Sequence, residues 1–138
     1  MLETHVKISP RYAETDQMGV IHHANYLIYM EQGRMEWLDN LGFSYVEMEE
    51  NDVMLPVYNI DIKYLKPVKL GDQILVKTRL KKIPTTKVIF EYEIINSKNE
   101  ICAVADLILV FTDAKTFRPM RPLPDFLERC KELFDKKK

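Results

Sequence analysis

Apolar and polar positions follow two rhythms along this chain, and the switch between them predicts the order of elements. Val6 and Ile8 alternate with Lys7 and Ser9, which predicts a first strand over residues 6–11, disturbed at Pro10. Residues 15–19, Thr-Asp-Gln-Met-Gly, carry turn chemistry, with Asp early and Gly at the close. Over residues 24–41 there is no proline, and Tyr26, Met30, Gly33, Trp37 and Leu41 recur every three or four positions. Leu27 and Leu38 widen that stripe into a long helix with more than one buried side, stopped at Gly42.

After the acidic residues 47–52 the period becomes two. Tyr58, Ile60, Ile62 and Tyr64 predict one strand, Ile74, Val76, Thr78 and Leu80 the next, and Val88, Phe90, Tyr92 and Ile94 a third. Residues 67–72 and 84–86 are the turns between them, and residues 96–99 form a hairpin turn. Residues 101–111 are apolar on both faces, which predicts a strand in the interior of the sheet. Pro119, Pro122 and Pro124 interrupt regular structure before a short amphipathic helix that presents Phe126, Leu127, Cys130 and Phe134 on one side. Tight turns force the consecutive strands to be antiparallel. The expectation is an α+β domain over residues 1–138: a five-stranded antiparallel sheet wrapped around one long helix. Its open edges are a liability that dimerisation would remove.

Composition narrows the function classes. A length of 138 residues suits one domain, and 46% hydrophobic with 30% charged residues excludes a disordered chain. Twenty Lys and Arg against 21 Asp and Glu supply no bulk attraction for nucleic acid or anionic membrane. No apolar run approaches the ~20 residues of a membrane span, and residues 1–5 show no secretory pattern. Cys102 and Cys130 make neither a paired-thiol motif nor a disulfide framework, so a cytoplasmic protein is expected. No Cys/His cluster has zinc-ligand spacing, and four glycines leave no phosphate loop.

Charge is nevertheless uneven. Residues 61–87 hold eight Lys and Arg against Asp61 and Asp72, whereas residues 31–52 hold seven acidic residues against Arg34. Lys81, Lys82 and Lys87 flank the Pro84 turn and are weak candidates for phosphate contacts; a solvated sheet face explains any one of them equally well.

Candidate chemistry concentrates in residues 11–26, where Tyr12, Asp16, Gly19-Val20 and His23-Ala24-Asn25-Tyr26 precede the long helix. This pattern resembles the signature of the hotdog-fold acyl-CoA thioesterases of the 4-hydroxybenzoyl-CoA thioesterase-like family. It is most similar to the small bacterial subgroup linked with the Tol–Pal system. The resemblance implies hydrolysis of an acyl-CoA thioester to free acid and CoA, in a homodimer or homotetramer with its site at the subunit interface. It implies no cofactor, coenzyme A being part of the substrate. Asp16 would be the catalytic carboxylate, as nucleophile or base, and the backbone N–H near His23 would polarise the carbonyl. Tyr12 and the His23 side chain would support them.

Blander readings remain open for each residue. Asp16 suits a turn, Tyr12 a buried ring, His22 and His23 a polar helix start, and Asn25 a helix cap. Other hotdog branches carry the acid on the long helix, which makes Glu31 the alternative catalytic carboxylate. Three other activities remain: hydrolysis of acyl-carrier-protein thioesters, hydration of enoyl-CoA, or acyl-CoA binding without turnover.

Overall fold

The computed structural model describes residues 2–16 and 18–135. Strand β1 (Glu3–Ile8) leads through a 3-10 turn (Tyr12–Glu14) to helix α1 (Asn25–Leu41) and the short α2 (Tyr45–Glu50). Strands β2 (Val53–Met54), β3 (Val57–Tyr64), β4 (Ile74–Leu80), β5 (Lys87–Ile95), β6 (Ile101–Val110) and β7 (Thr112–Asp113) follow, and α3 (Pro124–Asp135) ends the described chain. The main sheet has the order β1-β4-β5-β6-β3, antiparallel throughout, while β2 and β7 pair separately. A five-stranded antiparallel sheet curled around one long helix is the hotdog arrangement. Among the described residues no helix is long and apolar enough to cross a membrane.

The core lies between α1 and the sheet. Trp37 is fully buried with its ring edge-on to Phe90, centroids 5.0 Å apart. Gly33 lets the helix come close to β4, because a methyl there would overlap Thr78 Oγ1 and lie 3.1 Å from Val76 Cγ1. β1 is tucked beneath the same side: Thr4 Oγ1 donates to the Gly33 carbonyl at 3.4 Å, and Trp37 Nε1 donates to the Leu2 carbonyl at 3.1 Å. α1 stops at Gly42, whose φ of 96° is the left-handed geometry an L side chain resists. Phe126 of α3 seals that end against Phe43 and Phe111, at 5.3 and 5.2 Å between centroids.

Three details depart from the sequence reading. The first strand ends at Ile8, and residues 12–14 form the 3-10 turn instead. The acidic stretch is a helix: Ser44 Oγ accepts from the Glu47 N–H at 3.4 Å, and Met48 is the buried anchor that the run of charge concealed. Residues 65–73 do not close a hairpin, for β3 and β4 lie on opposite sides of the sheet. Leu65 N–H and Lys66 N–H donate to the Cys102 carbonyl, and Val68 is fully buried, so the segment crosses under the start of α1.

Candidate active site

That crossing segment holds the Asp16 loop. Ile21 N–H donates to the Val68 carbonyl at 2.8 Å, and Leu70 N–H to the Gly19 carbonyl at 3.1 Å. Within the loop, Asp16 N–H donates to the Val20 carbonyl at 2.8 Å. Asp16 Oδ1 accepts from the N–H groups of Met18 and Val20, at 2.8 and 3.2 Å. Asp16 is thus a turn-forming residue, yet its Oδ2 has no donor among the described residues. One oxygen shapes the loop and the other is free.

Glu14 fastens the loop to the helix. Its carboxylate is buried and accepts from Tyr29 Oη at 2.6 Å, from Arg11 N–H at 2.9 Å and from Arg11 Nε at 3.1 Å. Burial by itself would raise its pKa, but those hydrogen bonds from Tyr29 and Arg11 outweigh it and hold the carboxyl below its ordinary value. The Glu14 carbonyl accepts from His22 N–H at 2.8 Å and from Asn25 Nδ2 at 3.0 Å. Asn25 therefore ties the first turn of α1 to the loop. It is not the helix cap: that position is Ala24, with no side-chain hydrogen bond of its own.

Where α1 begins, Ala24 N–H donates to His22 Nδ1 at 3.2 Å, while Asn25 and Tyr26 donate to the His22 and His23 carbonyls. The His23 N–H has no acceptor among the described residues. It lies beside the positive end of a 17-residue helix dipole. An open cavity of about 340 Å³ brings Asp16, His22, His23, Tyr26, Tyr64 and Lys66 together. The His22 and His23 rings stack 4.3 Å apart, and Tyr64 meets His23 edge-on at 6.0 Å. Burial raises the Tyr26 pKa, so this phenol stays a neutral donor. Asp16 and His23 thus line one cavity, the first with a carboxylate oxygen and the second with an amide N–H that lack partners among the described residues.

The other candidates lie elsewhere. Tyr12 is 81% exposed and does not line the cavity. Glu31 is two turns along α1, its carboxylate 3.8 Å from Arg34, facing a separate cavity. Lys81 pairs with Asp106 at 2.9 Å, Lys87 sits 5.0 Å over the Tyr58 ring, and neither they nor Lys82 line the Asp16 cavity. Lys66, paired with Glu100, does line it. Sequence reasoning counted Lys66 only as part of the basic block and passed over Glu14, whose sole signal was an acidic residue two positions before Asp16.

Residues 10–130 match the thioesterase-like superfamily, and the chain belongs to it. It is a thioester hydrolase. The chain is 39% identical over 115 residues to the Bacillus subtilis (strain 168) protein named "Putative acyl-CoA thioesterase YneP", covering 83% of each. It is 29% identical over 113 residues to the acyl-CoA thioester hydrolase YbgC of Escherichia coli O157:H7, covering 82% of this chain and 84% of that one. Among solved structures it resembles the DHNA-CoA thioesterase from Staphylococcus aureus, with a TM-score of 0.94 and 33% identity over 99% of this chain and 94% of that one.

Proposed function

We propose that the chain hydrolyses acyl-CoA thioesters to a free carboxylic acid and CoA, with Asp16 as the catalytic carboxylate. The observation that supports this reading is that Asp16 and His23 line one cavity, and that Asp16 Oδ2 and the His23 N–H have no partner among the described residues. The carboxylate attacks the thioester carbon, or takes a proton from the water that does. In either case the carbonyl oxygen gains charge facing the His23 N–H and the helix start. The C–S bond then breaks, and a thiolate leaves readily because its conjugate acid is comparatively strong; in the nucleophilic route water then cleaves the acyl–Asp16 anhydride, releasing the acid and restoring the carboxylate. The His23 ring, braced by Tyr64, frames the reacting group; Tyr12 is assigned no step. The pattern from Tyr12 to Tyr26 is what supports reading the chain as a member of the Tol–Pal-linked subgroup. Two free cysteines suit a cytoplasmic enzyme.

The working unit is a homodimer or a multiple of it. Strand β3 is a free sheet edge that leaves Val57, Tyr58 and Tyr64 between 49% and 65% exposed, and pairing with a second copy would cover it. Lys66 and, across that dimer, the stretch holding Lys81, Lys82 and Lys87 would receive the phosphates of CoA. Light scattering should give at least twice the 16.3 kDa chain mass; a monomer at micromolar concentration refutes the dimer.

Thiol release from a panel of acyl-CoA substrates tests the chemistry. Asp16→Asn should fold normally and lose roughly 10²–10⁴-fold in kcat, the range that general-base catalysis contributes. Near-normal turnover by that variant rules out the assignment. Repeated turnover in ¹⁸O-water separates the two roles, since only direct attack, with water then opening the anhydride at the Asp16 carbonyl, leaves label in the Asp16 carboxylate.

A further inference from the structure

Arg34 is a buried cation without an adequate partner. Its side chain is 7% exposed, and its nearest carboxylate oxygen is Glu31 Oε2 at 3.8 Å, on a side chain that is itself 63% exposed. Arg34 Nε has no acceptor among the described residues, nor does the hydroxyl of Tyr92, a residue 2% exposed. The Tyr45 hydroxyl, which also lies beside the guanidinium, donates to the Leu55 carbonyl at 3.3 Å. Burying a cation with donors unfilled is strongly unfavourable, and native proteins rarely leave one so. The Tyr92 and Tyr45 hydroxyls are neutral company for the charge, and a carboxylate at hydrogen-bonding distance is missing among the described residues.

Arg34 lines a cavity of about 400 Å³ whose other walls include Met35, Tyr45, Leu55 and Val57. This cavity and the one at Asp16 are separate but bounded by the same two elements, Tyr26 of α1 and Tyr64 of β3 in one, Arg34 of α1 and Val57 of β3 in the other. His23, Leu27, Glu31 and Arg34 follow at spacings of four, four and three, which keeps them on one face of α1. At ~1.5 Å per residue the Arg34 backbone is roughly 16 Å beyond His23, and its side chain leans back toward the helix start. β3 is the opposite wall, with Tyr64 at the Asp16 cavity and Val57 at the Arg34 cavity. Half-buried Ile60 and Ile62 form that wall's inner face, Ile62 beside the small Ala105.

We infer that Arg34 anchors the far end of the acyl group, and that the space between α1 and β3 selects acyl thioesters carrying an acceptor oxygen, as hydroxyl or carboxylate, at the end remote from sulfur. This rests on the thioesterase reading above and adds a specificity-determining residue to it. The loosely held Glu31 side chain swings out to solvent when the substrate oxygen takes its place beside Arg34. A carboxylate end gains most, because Arg binds that group in a planar two-point fashion.

The test uses linear acyl-CoA substrates of one medium chain length that end in methyl, hydroxyl or carboxylate. The unaltered protein should favour an oxygen-ended substrate by roughly tenfold in kcat/KM, the effect of one hydrogen bond to a charged group. In Arg34→Met the ratio of oxygen-ended to methyl-ended kcat/KM should collapse towards one, chiefly through KM. Glu31→Gln, an exposed change that does not disturb the core, should raise the carboxylate-to-methyl ratio about threefold by removing a like charge; it decides the matter if Arg34→Met fails to fold. A ratio near one in the unaltered protein overturns the inference, as does an equal loss on all three substrates in Arg34→Met. Absence of turnover on every substrate, methyl-ended included, would instead sink the thioesterase reading itself.

Discussion

The two long sides of α1 bear opposite burdens. Toward β1 and β4 it presents Tyr29, Met30, Gly33 and Trp37, none more than 2% exposed among the three large side chains. Toward β3 it presents Leu27, Glu31 and Met35, with Leu27 44% and Met35 40% exposed. Both sides contain large apolar residues, so hydrophobicity does not distinguish them. The difference is what lies opposite: a sheet face at close-packed distance on one side, the cavities at Asp16 and Arg34 on the other. Removing a side chain from the closed side costs stability, whereas on the open side it costs selectivity.

Trp37→Ala against Leu27→Ala is the strongest trial of that contrast. Trp37→Ala should lower the unfolding free energy by about 3–5 kcal/mol in urea titrations, the cost of an uncollapsed core cavity. Leu27→Ala should cost only about 1 kcal/mol, because that residue stays 44% exposed to water. Its effect should instead fall on kcat/KM for medium-chain substrates. Equal destabilisation by the two changes would break the comparison.

Gly33→Ala sharpens it at a smaller scale. The added methyl gains ~1 kcal/mol of helix propensity, yet it must displace Thr78 in a packed sheet, so a net loss of about 1–2 kcal/mol is expected. A more stable variant would mean that α1 can lift from β4 without penalty.

Glu14 joins the two sides, and its signature is a pH dependence. Hydrogen bonds from Tyr29 and Arg11 hold its folded pKa below the ordinary 4.5. A depressed folded pKa means that its stabilisation is fully present above the unfolded value and is lost as pH falls through the folded one. Urea midpoints of the unaltered protein should therefore drop as pH is taken below 4.5. The Glu14→Gln variant should start lower at pH 7 and show a shallower acid decline. Parallel acid profiles would show that Glu14 is not the residue responsible.

The smallest effect concerns the thiols. Burial raises the pKa of Cys102, and pushes that of Cys130, on α3, up to about 12. Neither should react with a thiol reagent at pH 8 in the folded protein, and both should react on unfolding. Fast labelling of Cys130 would show that α3 docks loosely over the Phe43–Phe126 contact.

The hydrophobic rhythm carried α1, its Gly42 stop and the five strands of the main sheet, the first with its bounds displaced, because those elements are defined by which face is buried. It did not carry α2, whose only buried residue is Met48 inside an acidic run, nor the passage of residues 65–73 under the start of α1. The Asp16 turn was legible as a turn and, through resemblance, as a candidate site. The Glu14 clamp was not, since its partner Tyr29 is fifteen residues away. Asn25 suited a helix cap by residue type and spacing, yet its amide is drawn to the Glu14 carbonyl instead. Local preference had no means of weighing a partner eleven positions back.

By itself, then, the sequence determined the long helix, the strands of the main sheet and the segment where chemistry gathers, since periodicity and turn residues act over a few neighbouring positions. Only the tertiary structure decided which side of α1 is sealed, which carbonyl Asn25 serves and which acids share a cavity with an unpaired amide. Those outcomes depend on groups far apart in the chain meeting in one place. The long-range strand order, with β3 carried to the far edge, is what brings them there or leaves them apart.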